Sequence, residues 1–294
     1  PKGWLYLLPA FAFLGVFMVY PLIDVLIYSF EEGFNFASQT HFGIGSYNYQ
    51  YVLHDPYFLQ ALKNTFILVL ITVPLSTGIA LLISVGLNSI QKLRELYQTI
   101  YFLPYVTNTL AVGLVFMILF KKTPYTDGLA NLILGWFGAA PIDFIDGPYW
   151  AKMFVLCFYT VWVVMPFKVL ILTSALASVD QTYYNAARID GTSKWRVFTK
   201  ITIPLSKPIA IYTLLTTFLG AWSDYIFPSM LFGDNQKLYT VAIGLQWMTD
   251  ARRVDYYYTQ FAAGALLVAL PIVLLFISLQ KYYVEGVTGG AVKG

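Results

Sequence analysis

The chain has 294 residues, of which 58% are hydrophobic, 18% aromatic and only 11% charged, against about 25% charged in a typical soluble domain. So little charge cannot clothe a water-soluble globule of this length, and the same apolar excess excludes disorder. A net charge of +3 with no dense basic block excludes a nucleic-acid surface as well.

Taken in chain order, six apolar stretches reach the about 20 residues that a helix needs to cross a bilayer core of about 30 Å. They cover 4–30, 65–87, 100–120, 149–177, 203–232 and 261–282. None alternates with period two, so they predict helices rather than the strands of an outer-membrane barrel. The first run is far longer than the apolar core of a secretion signal. Glu31 and Glu32 follow it without a small-residue cleavage site, so it is read as retained. The expected architecture is an all-α membrane protein in which 1–294 form a single transmembrane domain.

Orientation follows from the cations, because Lys and Arg in short loops mark the cytoplasmic side. Lys2, Lys92, Arg94, Arg188, Lys194, Arg196, Lys200, Lys207, Lys281 and Lys293 fall on one set of connections with few acids. Lys63, Lys121, Lys122, Lys237, Arg252 and Arg253 fall on the other, where acids outnumber them. Both termini are therefore predicted to be cytoplasmic, with 31–64, 121–148 and 233–260 forming a structured outer face.

The chain contains no Gly-x-x-x-x-Gly-Lys-Ser/Thr phosphate loop, so ATP chemistry would come from a partner. It also lacks a Gly-x-Ser-x-Gly elbow and a His-Glu-x-x-His helix, which argues against a membrane enzyme. His41, His54 and the lone Cys157 have no metal-ligand spacing.

Charged groups in spans are costly, about 2.5–3.5 kcal/mol at mid-helix on insertion scales, and Asp24, Lys152, Lys168 and Asp224 are the instances to explain. Asp24 and Lys152 lie toward span ends and can reach the headgroups. Lys168 lies deeper and wants a carbonyl or an acid. Trp222, Asp224 and Tyr225 combine aromatic faces with a polar group, the chemistry a sugar requires. On a continuous helix Trp222 and Tyr225 would share a face and Asp224 would point elsewhere, where it could instead lock the span to a neighbour. Tyr105 and Asn108 form a second such pair, with an interhelical hydrogen bond as the alternative for Asn108.

The link at 178–208 reads as a short, deliberately capped helix. Ser178 and Gln181 match a capping box at its start, and Gly191 supplies the left-handed position that ends it. Between them lie Tyr183, Tyr184, Ala186, Ala187, Arg188 and Ile189. Paired alanines let another surface approach the backbone, and the tyrosines are rigid interface anchors, so the helix suits a groove.

The run NAARIDG, followed after nine residues by ITIPLSKP, resembles the EAA signature of permease subunits of bacterial and archaeal ABC importers. Ala186, Ala187, Asp190, Gly191, Ile201, Pro204, Leu205 and Pro208 stand where that signature expects them, and the family's leading Glu is Asn185 here. The N-terminal WLYLLPAFAFLGVFMVYPLIDVLIYSF, the Asn64–Thr65 pair, LRELYQTIYFLPYVTNTLAVGLVF, GAWSDYIFPSML and the terminal TGGAVKG are similar to the carbohydrate branch of that family. The resemblance implies the type I ABC importer permease fold with six transmembrane helices and a cytoplasmic coupling helix. Tyr184, Asn185, Ala186, Ala187, Arg188, Asp190, Gly191 and Pro204 would carry the coupling. It further implies a second, homologous permease subunit, an ABC ATPase dimer holding ATP and Mg2+, and an extracytoplasmic solute-binding protein. The substrate would be a sugar, with membrane lipid around the complex, no cofactor on this chain and a prokaryotic cytoplasmic-membrane location. Rival readings are the same machinery carrying a polyol phosphate, which would need more mid-depth cations than Lys168, and an ion-coupled carrier, which would need repeated halves and more buried acids. A non-transporting scaffold would show no substrate-stimulated ATP hydrolysis.

Overall fold

The computed structural model describes residues 2–90, 94–177 and 181–288. Among them, five helices are long and apolar enough to cross a bilayer, namely α1 (Gly3–Phe30), α3 (Pro56–Ser89), α7 (Tyr149–Ala177), α9 (Trp195–Ser223) and α12, apolar over Val254–Tyr282. Between α1 and α3 lies α2 (Tyr47–His54). A sixth apolar segment of sufficient length is broken into a bent pair, α4 (Thr99–Val106) and α5 (Thr109–Phe120), set at 98° to each other, the geometry of a broken span or a re-entrant loop. The remaining helices are α6 (Gly128–Trp136), α8 (Gln181–Ile189), α10 (Ile226–Phe232) and α11 (Val241–Met248). The described strands are a two-residue pair, Glu31–Glu32 antiparallel to Gly43–Ile44.

Several predicted boundaries move, each for a local reason. The second span begins at Pro56 rather than 65, because Asp55 accepts a bond from the Tyr57 amide at 2.9 Å and Pro56 needs no helical partner for its nitrogen. The third span, expected as one helix over 100–120, breaks after Pro104. Thr107 is extended (ψ 145) and Asn108 restarts the helix. The fifth, expected over 203–232, is helical from Trp195 to Ser223, then opens at Asp224 (ψ 121) before α10.

Two helices widen to a π turn, α1 over Gly15–Val19 and α9 over Phe198–Thr202. Each wide turn ends just short of a proline, Pro21 or Pro204, and the next amide reaches back five residues, Tyr20 to the Gly15 carbonyl and Ile203 to the Phe198 carbonyl. A proline has no amide hydrogen and crowds the carbonyl one turn back, and the longer bond makes room for it.

The chain divides into two compact units. The first comprises the described residues up to Asn64 together with Gln236–Val273. Two of its buried carboxamides are paired across the chain. Asn48 donates to the Ser29 and Glu31 carbonyls at 3.1 and 2.8 Å and accepts from the Thr259 hydroxyl at 3.2 Å. Asn64 donates to the Lys237 and Tyr239 carbonyls at 3.2 and 2.9 Å. Gly264 lets the helices approach closely, since a β-carbon there would stand 3.2 Å from Leu245 Cδ2.

The second unit comprises Thr65–Asn235 and the described residues from Leu274 on. Ala80 and Leu87 of α3 pack on Val169 and Leu172 of α7 in its core. A β-carbon at Gly113 of α5 would lie 3.0 Å from Phe227, so the missing side chain lets α10 seat against α5. Asn131 exchanges two bonds with Ile142 and fixes the loop after α6.

Candidate coupling helix and translocation path

Helix α8 is ended as the glycine predicts. Gly191 has φ +65, and the Asp190 and Thr192 amides bond to the Ala186 and Ala187 carbonyls at 3.0 and 2.9 Å, closing its last turn. Ser178, and with it the capping box, lies outside the described residues, as does the Arg188 side chain.

The helix has two unlike faces. Ala187 is 6% exposed, and the Tyr184 hydroxyl meets the Thr202 hydroxyl at 3.5 Å beside the wide turn that precedes Pro204. Tyr183, Asn185, Ala186 and Asp190 are exposed, and Ile189 is 86% exposed. Residues three and four apart share a helix face, so Tyr183 and Ile189 flank Ala186 on an open apolar stripe, with exposed Trp195 just beyond. Such a short helix is marginal in water by itself. Tyr184 ties it to α9, Ala187 is buried, and its other side is exposed.

The path candidates occupy the two helix breaks. Asn108 caps α5, its side-chain oxygen accepting from the Leu110 and Ala111 amides at 2.9 and 3.2 Å. This capping role replaces the interhelical bond weighed for Asn108. Tyr105 stacks on Phe167 with centroids 5.2 Å apart. Asp224 accepts from the Ile226 and Phe227 amides and so starts α10. The shared face expected for Trp222 and Tyr225 does not form, because the helix ends between them. Trp222 is 1% exposed, stacked on Phe218 and edge-on to Phe66, packed within the second unit. Tyr225 is exposed.

Sequence reasoning missed Tyr159, which joins the breaks. Its ring lies on Phe227 at 3.7 Å, its hydroxyl donates to the Thr109 carbonyl at 3.5 Å, and it lies within electrostatic reach of Asp224. The first residue of α5 and the start of α10 therefore meet one buried phenol. The sequence signals available were the cap residues Asn108 and Asp224, each in a run also holding a proline, Pro104 or Pro228.

Lys168, 1% exposed on α7, donates to the Thr77 and Ser76 hydroxyls at 2.6 and 2.7 Å and to the Val73 carbonyl at 3.4 Å. Those hydroxyls bond in turn to the Val73 and Thr72 carbonyls of α3. The carbonyl partner expected from the sequence is present, with two hydroxyls added, and the ammonium clamps α7 to α3.

Residues 76–289, which include α8 and both breaks, match the family described as binding-protein-dependent transport system inner membrane component. The lactose transport system permease protein LacF of Rhizobium radiobacter is 35% identical over 224 residues, covering 74% of this chain and 72% of that one. The arabinooligosaccharides transport system permease protein AraP of Bacillus subtilis is 29% identical over 273 residues, covering 92% and 84%. The maltodextrin transport system permease protein MalD of Streptococcus pneumoniae is 28% identical over 285 residues, covering 96% and 92%. A chain of a bacterial ABC transporter that imports the acidic polysaccharide alginate superposes with a TM-score of 0.77 at 19% identity, covering 95% of this chain and 94% of that one. A second alginate transporter structure, in complex with an alginate pentasaccharide-bound periplasmic protein, superposes at 0.75 and 19%, covering 94% and 91%. The fold is thus that of an ABC importer permease, and the chain belongs to the inner-membrane component family of binding-protein-dependent transport systems.

Proposed function

We propose that the chain is one of two similar permease subunits of an ATP-driven importer that carries an oligosaccharide across a prokaryotic cytoplasmic membrane. Both termini lie in the cytoplasm, α8 docks into an ABC ATPase dimer holding ATP and Mg2+, and a soluble binding protein delivers sugar to the outer face formed by 31–64, 121–148 and 233–260. The sugar in this reading is drawn from the substrates named for the lactose, arabinooligosaccharide and maltodextrin relatives and from the polar and aromatic groups at the helix breaks.

The observation that carries the coupling role is the exposed Tyr183, Ala186 and Ile189 stripe on a capped helix tied to α9 through Tyr184. ATP closure moves that helix, and Tyr184 passes the movement to the wide turn at Phe198–Thr202, where α9 has one non-standard turn to give. The partner shifts the bundle only through contacts that differ between its inward-open and outward-open states. At the breaks, Asn108 and Asp224 are already spent on capping amides. Sugar contact therefore falls to Tyr105, Tyr225 and the unused lone pairs of those two caps. Lys168 is enclosed by hydroxyls and gives a phosphate-bearing solute no cation. The chain's contribution is to bind, orient and exclude water.

The test is to purify the chain with its genomic neighbours in lipid and screen neutral oligosaccharides, with the binding protein present, for stimulated ATP hydrolysis. Stimulation by a sugar is expected. A flat response to sugars beside stimulation by another solute class overturns the substrate assignment.

A further inference from the structure

The first unit contains a cavity of about 320 Å³ that plays no part in the path or the lever. It is roofed by aromatics from sequence-distant segments: Tyr51 at the end of α2, Tyr57 at the start of α3, Trp247 on α11 and Tyr257 on α12. Besides its tyrosines, the lining includes Asp55 and Gln236, and no Lys or Arg. Asp55 uses one carboxylate oxygen to cap α3 through the Tyr57 amide at 2.9 Å, leaving the other.

The walls are pre-set. Arg253 lies over the Trp247 ring at 4.1 Å, a cation–π contact on the indole. Tyr257 packs against the same indole with centroids 5.4 Å apart. Partial burial, then the adjacent Tyr257 hydroxyl, raise the Tyr51 phenol above its ordinary value, so the two hydroxyls lie close together at the pocket. The volume sits at the small end of ligand pockets, about 300–1,000 Å³.

We propose that this pocket binds the terminal unit of a neutral carbohydrate. The apolar C–H faces of a sugar ring match the Trp247, Tyr57 and Tyr51 rings, and its hydroxyls match Asp55 and Gln236. A uronic acid is disfavoured, because its carboxylate would meet Asp55, and the nearby Arg253 guanidinium sits over the Trp247 ring rather than among the lining residues. Its side of the membrane follows from the proposed orientation, in which it faces outward and would hold sugar at the entrance before the path opens. The inference rests on the sugar-importer reading, and the experiment separates the two.

Maltose and, as an acidic comparison, glucuronate are titrated against the full chain with its partner subunits in nanodiscs, without binding protein and without ATP. Binding is followed by saturation-transfer NMR, and maltose-stimulated ATP hydrolysis is measured on the same preparation with binding protein restored. Contact with maltose protons and none with glucuronate is expected. Maltose affinity should fall about fivefold to tenfold in Tyr57→Ala and in Gln236→Ala, the loss of one aromatic or hydrogen-bonded contact. Tyr57 and Gln236 are not buried, so these variants keep the fold, and an unchanged melting midpoint verifies it. Equal maltose binding in wild type and both variants, or glucuronate binding as tight as maltose, overturns the pocket. Absent maltose binding with stimulated hydrolysis intact overturns the pocket alone. Absence of both overturns the pocket together with a maltose-type substrate for the importer.

Discussion

Helix α8 and the cluster around Asn48 and Asn64 satisfy their chemistry in opposite ways. The cluster closes on itself. Each buried amide finds carbonyls from distant chain segments, and Gly264 lets the helices touch. Helix α8 does not. It buries Ala187 and turns Tyr183, Ala186 and Ile189 outward, an apolar stripe that a segment outside the spans keeps only if another surface covers it. The contrast separates a part that closes within this polypeptide from a part that, under the proposed coupling role, is completed by the ATPase.

Substitutions break or sharpen that contrast through different readouts. The largest effect is expected at Ala186→Trp and Gly191→Pro. A side chain that blocks the groove, or a residue that cannot adopt φ +65, should lower coupled uptake about thirtyfold or more, the scale of an interface hot spot. Ala186→Trp should leave the melting midpoint of the chain unchanged, because its site is open. A lowered midpoint with normal coupling would show that α8 is a packing element after all.

Asn64→Ala should do the reverse. It strips partners from the Lys237 and Tyr239 carbonyls and from Gln60, costing about 2–3 kcal/mol as buried polar groups lose their bonds, seen in thermal unfolding whether or not partner subunits are present. A midpoint that falls only in the isolated chain would mean that the cluster, too, is completed by assembly.

Lys168 tests the clamp between α7 and α3. Ser76→Ala with Thr77→Val leaves a buried ammonium with one long carbonyl contact and should cost about 1–3 kcal/mol. Lys168→Met should stay within about 1 kcal/mol of wild type, because the hydroxyls retain their own carbonyl partners. The smallest effect is expected for Asn108→Ala, about 1 kcal/mol for a lost cap, recovered by Asn108→Asp. Indifference to the alanine would mean that the bend at 107–108 is imposed by packing alone.

The spans were legible because a bilayer imposes a length and an apolar content that survive any detail of packing. The short helix α8 was legible because Gly191, which ends it at φ +65, is a local device. The breaks were not, since apolar content is blind to whether a run stays helical. Asn108 and Asp224 had to be seen as caps rather than as intramembrane polar groups, and Tyr159 matters only once both breaks lie beside it. The Lys168 clamp and the Tyr51–Trp247 pocket join residues from different segments, so no window along the chain contains them.

The claim that α8 is covered by a partner can be tested most directly with a single cysteine. Cys157 is buried, so an Ala186→Cys chain reports one accessible thiol to a water-soluble maleimide. Labelling is compared between the assembled complex and the same membranes stripped of the ATPase. The account predicts labelling at least about tenfold slower in the complex, the mark of a site excluded from water at an interface. Equal rates in the two preparations would contradict it.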